Sequence, residues 1–175
     1  MAGAKRSQQL FESLKRVQIA KMKQDDPRPH RVARGLFLGS VAAAYNLSLL
    51  KQLGITHILT VCDCLPPKFP GEFQYKLVNV LDAPTANIRQ HFKETHEFIA
   101  TALQRGGTVL VHCFAGVSRS ATVVLAYLMK QASLSLQEAI YRVRSKRPFI
   151  NPNAGFMNQL RKYEAFLKLA KQSNL

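Results

Sequence analysis

Apolar residues along this 175-residue chain follow two periods, and the switch from one to the other predicts its elements. Short apolar-rich runs bounded by glycine, proline or charge read as strands near 35–38, 56–62 and 73–80. A further strand is expected in Gly107-Thr-Val-Leu-Val-His112. Elsewhere the period lengthens to that of a helix. Residues 41–53 read as one helix, and over 87–104 Ile88, Phe92, Ile99 and Leu103 recur on one face, with Asn87 as the cap. Within Ser120 to Lys130, the stretch Ala121 to Met129 is apolar nearly all round, which predicts a helix buried on every side. Ser135-x-x-Glu138 is a capping box opening a helix that turns Leu136, Ala139, Ile140 and Val143 inward. The last helix begins near Asn153 and buries Phe156, Leu160, Tyr163 and Leu167.

Two breaks organise the chain. Residues 63–72, with Pro66-Pro67 and Pro70-Gly71, read as a surface loop. Residues 5–23 read as a basic amphipathic helix, with Leu10, Leu14 and Val17 on one face and Lys5, Arg16 and Lys23 opposite, and Gln24 to Pro29 interrupts it. The expected organisation is a basic helical extension and linker over 1–28, followed by one domain over 29–175. Strands alternating with helices place that domain in the α/β class, with a central mixed, mostly parallel sheet of about five strands flanked by helices.

Charge adds partners to this outline. The formal net charge is +15, concentrated at the two ends: eight Lys/Arg against three acids in 1–31, and eight against one in 142–175. Nucleic acid is disfavoured as the partner, because no aromatic-interleaved basic motif of the known RNA or DNA modules is present. Acidic, phosphorylated protein surfaces fit the charge, and the N-terminal helix either packs on the core of the domain or is a docking element for calmodulin, a kinase groove or an anionic membrane. No stretch has the apolar length of a membrane span and the start carries no secretory apolar region, so cytoplasmic and/or nuclear placement with reduced thiols is expected.

The chemistry lies in Val111-His112-Cys113-Phe114-Ala115-Gly116-Val117-Ser118-Arg119-Ser120-Ala121. A strand feeding a tight loop that opens onto a helix N-terminus gathers backbone N–H groups around an anion, and the helix dipole adds to them. The same field stabilises a thiolate, the form in which cysteine is a nucleophile. Arg119 offers a planar fork matched to phosphate oxygens, and Gly116 lets the backbone turn close to the anion. A nucleophile and a dianion cradle in one loop point to phosphate-ester hydrolysis.

These residues resemble the signature loop of the cysteine-dependent protein phosphatases, in the form found in the dual-specificity branch. Gly35-Leu-Phe-Leu-Gly-Ser40, Ile55-Thr-His-Ile-Leu59 and Ser145-Lys-Arg-Pro148 with Pro152-Asn153-Ala-Gly-Phe156 resemble its other motifs, in order, from about Arg31 to the last helix. The likeness is to small single-domain members related to MAP-kinase phosphatases, including plant-type ones. It implies a tyrosine-phosphatase-like fold and hydrolysis of phosphotyrosine, phosphoserine and phosphothreonine on proteins, a MAP kinase among the candidates. Cys113 is then the nucleophile that forms a phosphocysteine, and Phe114, Ala115, Gly116, Val117, Ser118 and Arg119 line the phosphate site. Ser120 assists release of phosphate from the cysteine, while His112 and Asn153 support the loop, with Asn151 a weaker candidate brace. The family's general acid falls at Asp82; Asp63 is the rival. Arg147 reads as a solvated helix end or a contact for a second phosphate.

No cofactor and no metal are expected. Cys62-x-Cys64 is too tight for the usual zinc pair, and no second ligand pair accompanies it. Small buried core residues and a redox role are the other readings of these cysteines: a phosphoinositide phosphatase of the superfamily joins a cysteine at this place to its nucleophile, which here implies Cys113–Cys62 or Cys113–Cys64. The readings left open are a phosphoresidue- or calmodulin-binding regulatory module and an RNA 5′-phosphatase.

Overall fold

The computed structural model describes residues 26–172, so the amphipathic helix expected over 5–23 and its docking role lie outside the described residues. Five strands form one sheet in the order β1-β2-β5-β3-β4. β1 (His30–Ala33) runs antiparallel to β2 (Leu36–Gly39); β5 (Val109–His112) lies parallel between β2 and β3 (His57–Val61), and β4 (Gln74–Val78) is parallel beside β3. This is the mixed, mostly parallel sheet the sequence predicts.

The strand pleat sorts side chains into two cores. In β5, Val109 and Val111 join the larger core while Leu110 joins the smaller one; in β2, Leu36 and Leu38 part from Phe37 in the same way. Burial on both faces explains why these strands read as continuous apolar runs. The smaller core lies under α1 (Val41–Ala44) and α2 (Leu47–Gln52). Four longer helices pack on the other face: α3 (Phe92–Gln104), α4 (Arg119–Gln131), α5 (Leu136–Arg144) and α6 (Ala154–Gln172). In α4, every residue from Arg119 to Met129 is buried, as its all-round apolarity requires. The capping box of α5 is present: Glu138 N donates to Ser135 Oγ (3.2 Å) and Ser135 N to Glu138 Oε2 (2.7 Å).

Three details differ from the sequence pattern. β1 was not expected as a strand: only Val32 of its four residues is buried, and it exists through the hairpin closed at Arg34-Gly35, where Gly35 has φ +70°. The helix expected over 41–53 is two, because the Asn46 side chain accepts from Leu49 N (3.1 Å) and starts a second helix. Residue Asp26, inside the expected linker, packs on the domain, its carbonyl accepting from Ser40 Oγ at 3.1 Å.

His112 and Thr60 face each other across the β5–β3 ladder, with Thr60 Oγ1 at 2.8 Å from His112 Nε2. The other ring nitrogen, Nδ1, is 3.2 Å from the Cys113 carbonyl, which can only accept, so Nδ1 carries the proton. Burial holds the ring neutral, pushing its pKa down from 6.5 to about 4. The unfolded chain therefore takes up this proton before the folded one does, and stability is expected to fall as pH drops from about 6.5 toward about 4, by up to about 3 kcal/mol. NMR titration of the histidine rings checks this: His112 should titrate with a midpoint near 4, and a midpoint near 6.5 contradicts it.

Candidate active site

The carboxyl ends of β2, β5 and β3 meet where the chain connections diverge, the place at which open α/β sheets take ligands. Cys113 follows β5 directly, and the loop runs from it to Ser118, the residue before α4. Four consecutive carbonyls of this loop are tied to groups outside it. Val41 N donates to Phe114 O (2.9 Å), Arg147 Nη2 to Ala115 O (3.0 Å), Arg147 Nε to Gly116 O (2.9 Å) and Asn151 N to Val117 O (2.9 Å). With the carbonyls held outward, the peptide N–H groups converge on the interior. Gly116 N donates to Cys113 Sγ at 3.2 Å, and Ser120 Oγ to the same sulfur at 3.1 Å. Gly116 has φ +69°, and a Cβ there would strike the Gly39 carbonyl, so glycine is required twice over.

Arg147 corrects the sequence reading. It is fully buried behind the loop rather than solvated or free to meet a second phosphate, and Phe149 covers it with its ring centroid 4.3 Å from the guanidinium carbon. Its charge sits beneath the anion site, and its two bonded carbonyls fix the loop's peptide planes. The sequence signal was the basic residue of Ser145-Lys-Arg-Pro148 ahead of Pro152-Asn153, read without knowing where that segment folds back.

Asp82, in the loop after β4, reaches the rim of the same site. Its Oδ1 accepts from Ser118 Oγ (2.7 Å) and from Asn153 Nδ2 (2.9 Å), and its Oδ2 stands 3.7 Å from Arg119 Nε. Asn153 also donates its N–H to Ser118 Oγ (3.1 Å) and caps α6, its Oδ1 accepting from Phe156 N (2.9 Å). One asparagine thus ties the signature loop, the Asp82 loop and the last helix together. Gly155 completes the junction, since a Cβ there would run into the Pro84 carbonyl. Asn87, expected to cap the following helix, accepts from Gln90 N at 3.4 Å in the short 3-10 turn that precedes α3.

Arg119 is buried in the first turn of α4. Its Nη1 donates to Asp63 Oδ1 (2.8 Å), Cys62 Sγ (3.2 Å) and Val80 O (3.3 Å). Its Nε, also buried, makes no hydrogen bond among the described residues. Burial alone would lower its pKa, but the negative charges of the Cys113 and Cys62 thiolates and of the Asp82 and Asp63 carboxylates outweigh burial and raise it, so the guanidinium is a permanent cation.

Cys62, Asp63 and Cys64 form the turn that follows β3. Burial pushes the Cys62 thiol up to about 11, and its sulfur lies 3.6 Å from Cys64 Sγ. Among the described residues, these three form the group of His, Cys, Asp and Glu side chains compact enough for a metal. Two of them already touch the Arg119 guanidinium, which disfavours a second cation at the same atoms.

Residues 36–166 match the family described as dual specificity phosphatase, catalytic domain. Over 156 residues the chain is 46% identical to dual specificity protein phosphatase 1 of Arabidopsis thaliana, covering 89% of this chain and 79% of that protein. It is 47% identical over 140 residues to MAP kinase phosphatase with leucine-rich repeats protein 3 of Dictyostelium discoideum, covering 79% of this chain and 16% of that one. The crystal structure of human DUSP28 superposes with a TM-score of 0.78 at 40% identity, over 82% of this chain and 97% of that one. With a cysteine, an arginine and a serine converging on one anion cradle, and with this coverage, the chain belongs to the dual specificity phosphatase catalytic-domain family and is a protein phosphatase of that kind.

Proposed function

We propose that this phosphatase hydrolyses phosphotyrosine and phosphothreonine or phosphoserine monoesters on proteins through a phosphocysteine. The observation that carries the reading is the loop with its carbonyls bonded outward, Cys113 Sγ at its centre and, beside it, the Nε of Arg119, which makes no hydrogen bond among the described residues. In the first step Cys113 Sγ attacks phosphorus, the bond from phosphorus to the ester oxygen breaks, and Asp82 gives that oxygen its proton. Arg119 and the loop N–H groups hold the three equatorial oxygens, whose charge grows in the transition state. In the second step Asp82 takes a proton from water as it attacks phosphorus. Ser120 Oγ, 3.1 Å from the sulfur, stabilises the departing thiolate. His112, neutral and bonded on both sides, orients the loop.

The substrate class follows from what lines the site. Phe114, Ala115, Val117 and Ser118 carry no charge, so nothing in the loop is built for further phosphates on a sugar ring. A doubly phosphorylated activation loop of a kinase is the candidate substrate, and the name of the Dictyostelium relative, a MAP kinase phosphatase, supports it. A catalytic thiolate works only while reduced, which supports a cytoplasmic or nuclear setting.

Phosphate release from a threonine-x-tyrosine peptide phosphorylated on both residues is the direct test. Cys113→Ser is expected to abolish release, and Asp82→Asn to slow it roughly 10²–10⁴-fold, more for phosphothreonine, whose leaving oxygen is the stronger base. Tight peptide capture without release by the wild type would favour a phosphoresidue-binding module instead.

A redox response belongs to the same proposal. Peroxide would convert one thiolate to a sulfenic acid with release of hydroxide, and a second thiolate would displace hydroxide from that sulfur, so that two thiols are oxidised and peroxide is reduced to water. The 3.6 Å separation supports Cys62–Cys64 as the bond formed, alongside the pairings of either with Cys113. Mild peroxide followed by intact-mass measurement and peptide mapping should show loss of two hydrogens and a bridge between two of Cys62, Cys64 and Cys113. Sulfinic acid on Cys113 with no bridge would refute it.

A further inference from the structure

Arg119 must present two N–H groups to a phosphoryl dianion, and a guanidinium can do so through more than one edge. Its orientation in this chain is set by a carboxylate the catalytic steps do not use. Asp63 Oδ1 accepts from Nη1 at 2.8 Å, and Cys62 Sγ and the Val80 carbonyl take up the rest of that nitrogen's donor capacity. Nη1 lies on the Cδ side of the guanidinium. Holding it leaves the opposite edge, Nε with Nη2, facing the cradle, and Nε is the buried donor that makes no bond among the described residues.

The two carboxylates near Arg119 have separate tethers. Asp82 is bonded to Ser118 and Asn153 on the signature-loop side, with Arg119 Nε at 3.7 Å. Asp63 arises from the turn after β3, where the preceding residue is fixed to the sheet by Cys62 N donating to Val78 O at 3.0 Å. A carboxylate on a turn anchored to the sheet is a fixed stop against which the guanidinium rests. Left to charge alone, an acid this close would repel a phosphate dianion and weaken the site. Its presence makes sense only if orienting the fork is worth more than the repulsion it adds.

We propose that Asp63 is a positioning residue: its carboxylate holds Nη1 of Arg119 so that the Nε–Nη2 edge meets the phosphoryl oxygens. This rests on the phosphatase reading for its kinetic consequences and on the geometry of Arg119 for its binding consequences. Asp63 does not deliver a proton, so its effect is independent of the leaving group. That separates it from Asp82, whose loss matters most when the leaving oxygen is strongly basic.

The experiment compares wild type, Asp63→Ala, Asp63→Asn, Asp63→Glu and Asp82→Asn on an activated aryl phosphate and on an alkyl phosphate. Calorimetric binding of tungstate, a tetrahedral oxyanion, is measured in parallel, and thermal melts show that each variant folds. Losing a charge-assisted hydrogen bond to the clamp should lower kcat/KM of Asp63→Ala by roughly tenfold to a hundredfold on both substrates alike. Tungstate binding should weaken in step, Asp63→Asn should fall between, and Asp63→Glu should recover part of the loss. Asp82→Asn should instead penalise the alkyl ester far more than the aryl one. Tungstate binding that is unchanged or tighter in Asp63→Ala, or a loss confined to the alkyl ester, would overturn the proposal. A wild type that binds tungstate but hydrolyses neither ester would refute the phosphatase reading while the binding comparison still decides the role of Asp63.

Discussion

An anion-binding loop depends on its peptide planes being turned one way, and here that constraint is met from outside. Val41, Arg147 and Asn151 take the carbonyls of Phe114, Ala115, Gly116 and Val117. They come from α1, from the segment after α5 and from the approach to α6, so three separate parts of the domain must be in place before the loop can exist. A loop left to itself would point its carbonyls inward as readily, and the same oxygens would repel a phosphate. The fold around the site is in this sense a frame that turns peptide planes.

Two buried guanidiniums divide the work that one surface arginine could not do. Arg147 lies behind the loop and is committed to carbonyls; Arg119 lies beside it, with Nη1 committed to Asp63, Cys62 and Val80. Burying a charge costs several kcal/mol unless it is paired and bonded. Arg119 rests against the carboxylates of Asp63 and Asp82, and its Nη1 bonds Cys62 Sγ and the Val80 carbonyl, which offset that cost before any phosphate arrives.

The sheet order serves the same end. Parallel β2, β5 and β3 bring their carboxyl ends to one edge, and β5, in the middle, delivers Cys113 there. The chain passes this edge again after β3 and after β4, which is how Asp63 and Asp82 reach the one arginine from different loops. Asn153 then fastens the Asp82 loop to the helix that closes the domain.

Whatever depends on neighbours in the chain was legible in the sequence. The capping box at Ser135, the all-apolar α4, the apolar run of β5 and the loop from Cys113 to Arg119 are set by periodicity and local hydrogen bonding, which operate over a few residues. Only the tertiary structure decided the rest. β1 is a strand because β2 pairs with it, although its own residues are too polar to show a pattern. Arg147 is buried because a segment 31 residues beyond Gly116 folds back beneath the loop. Asp63 holds Arg119 across a separation of 56 residues. A side chain's partner at such distance is fixed by packing among elements, and a basic or acidic residue carries no local mark of the charge it will meet.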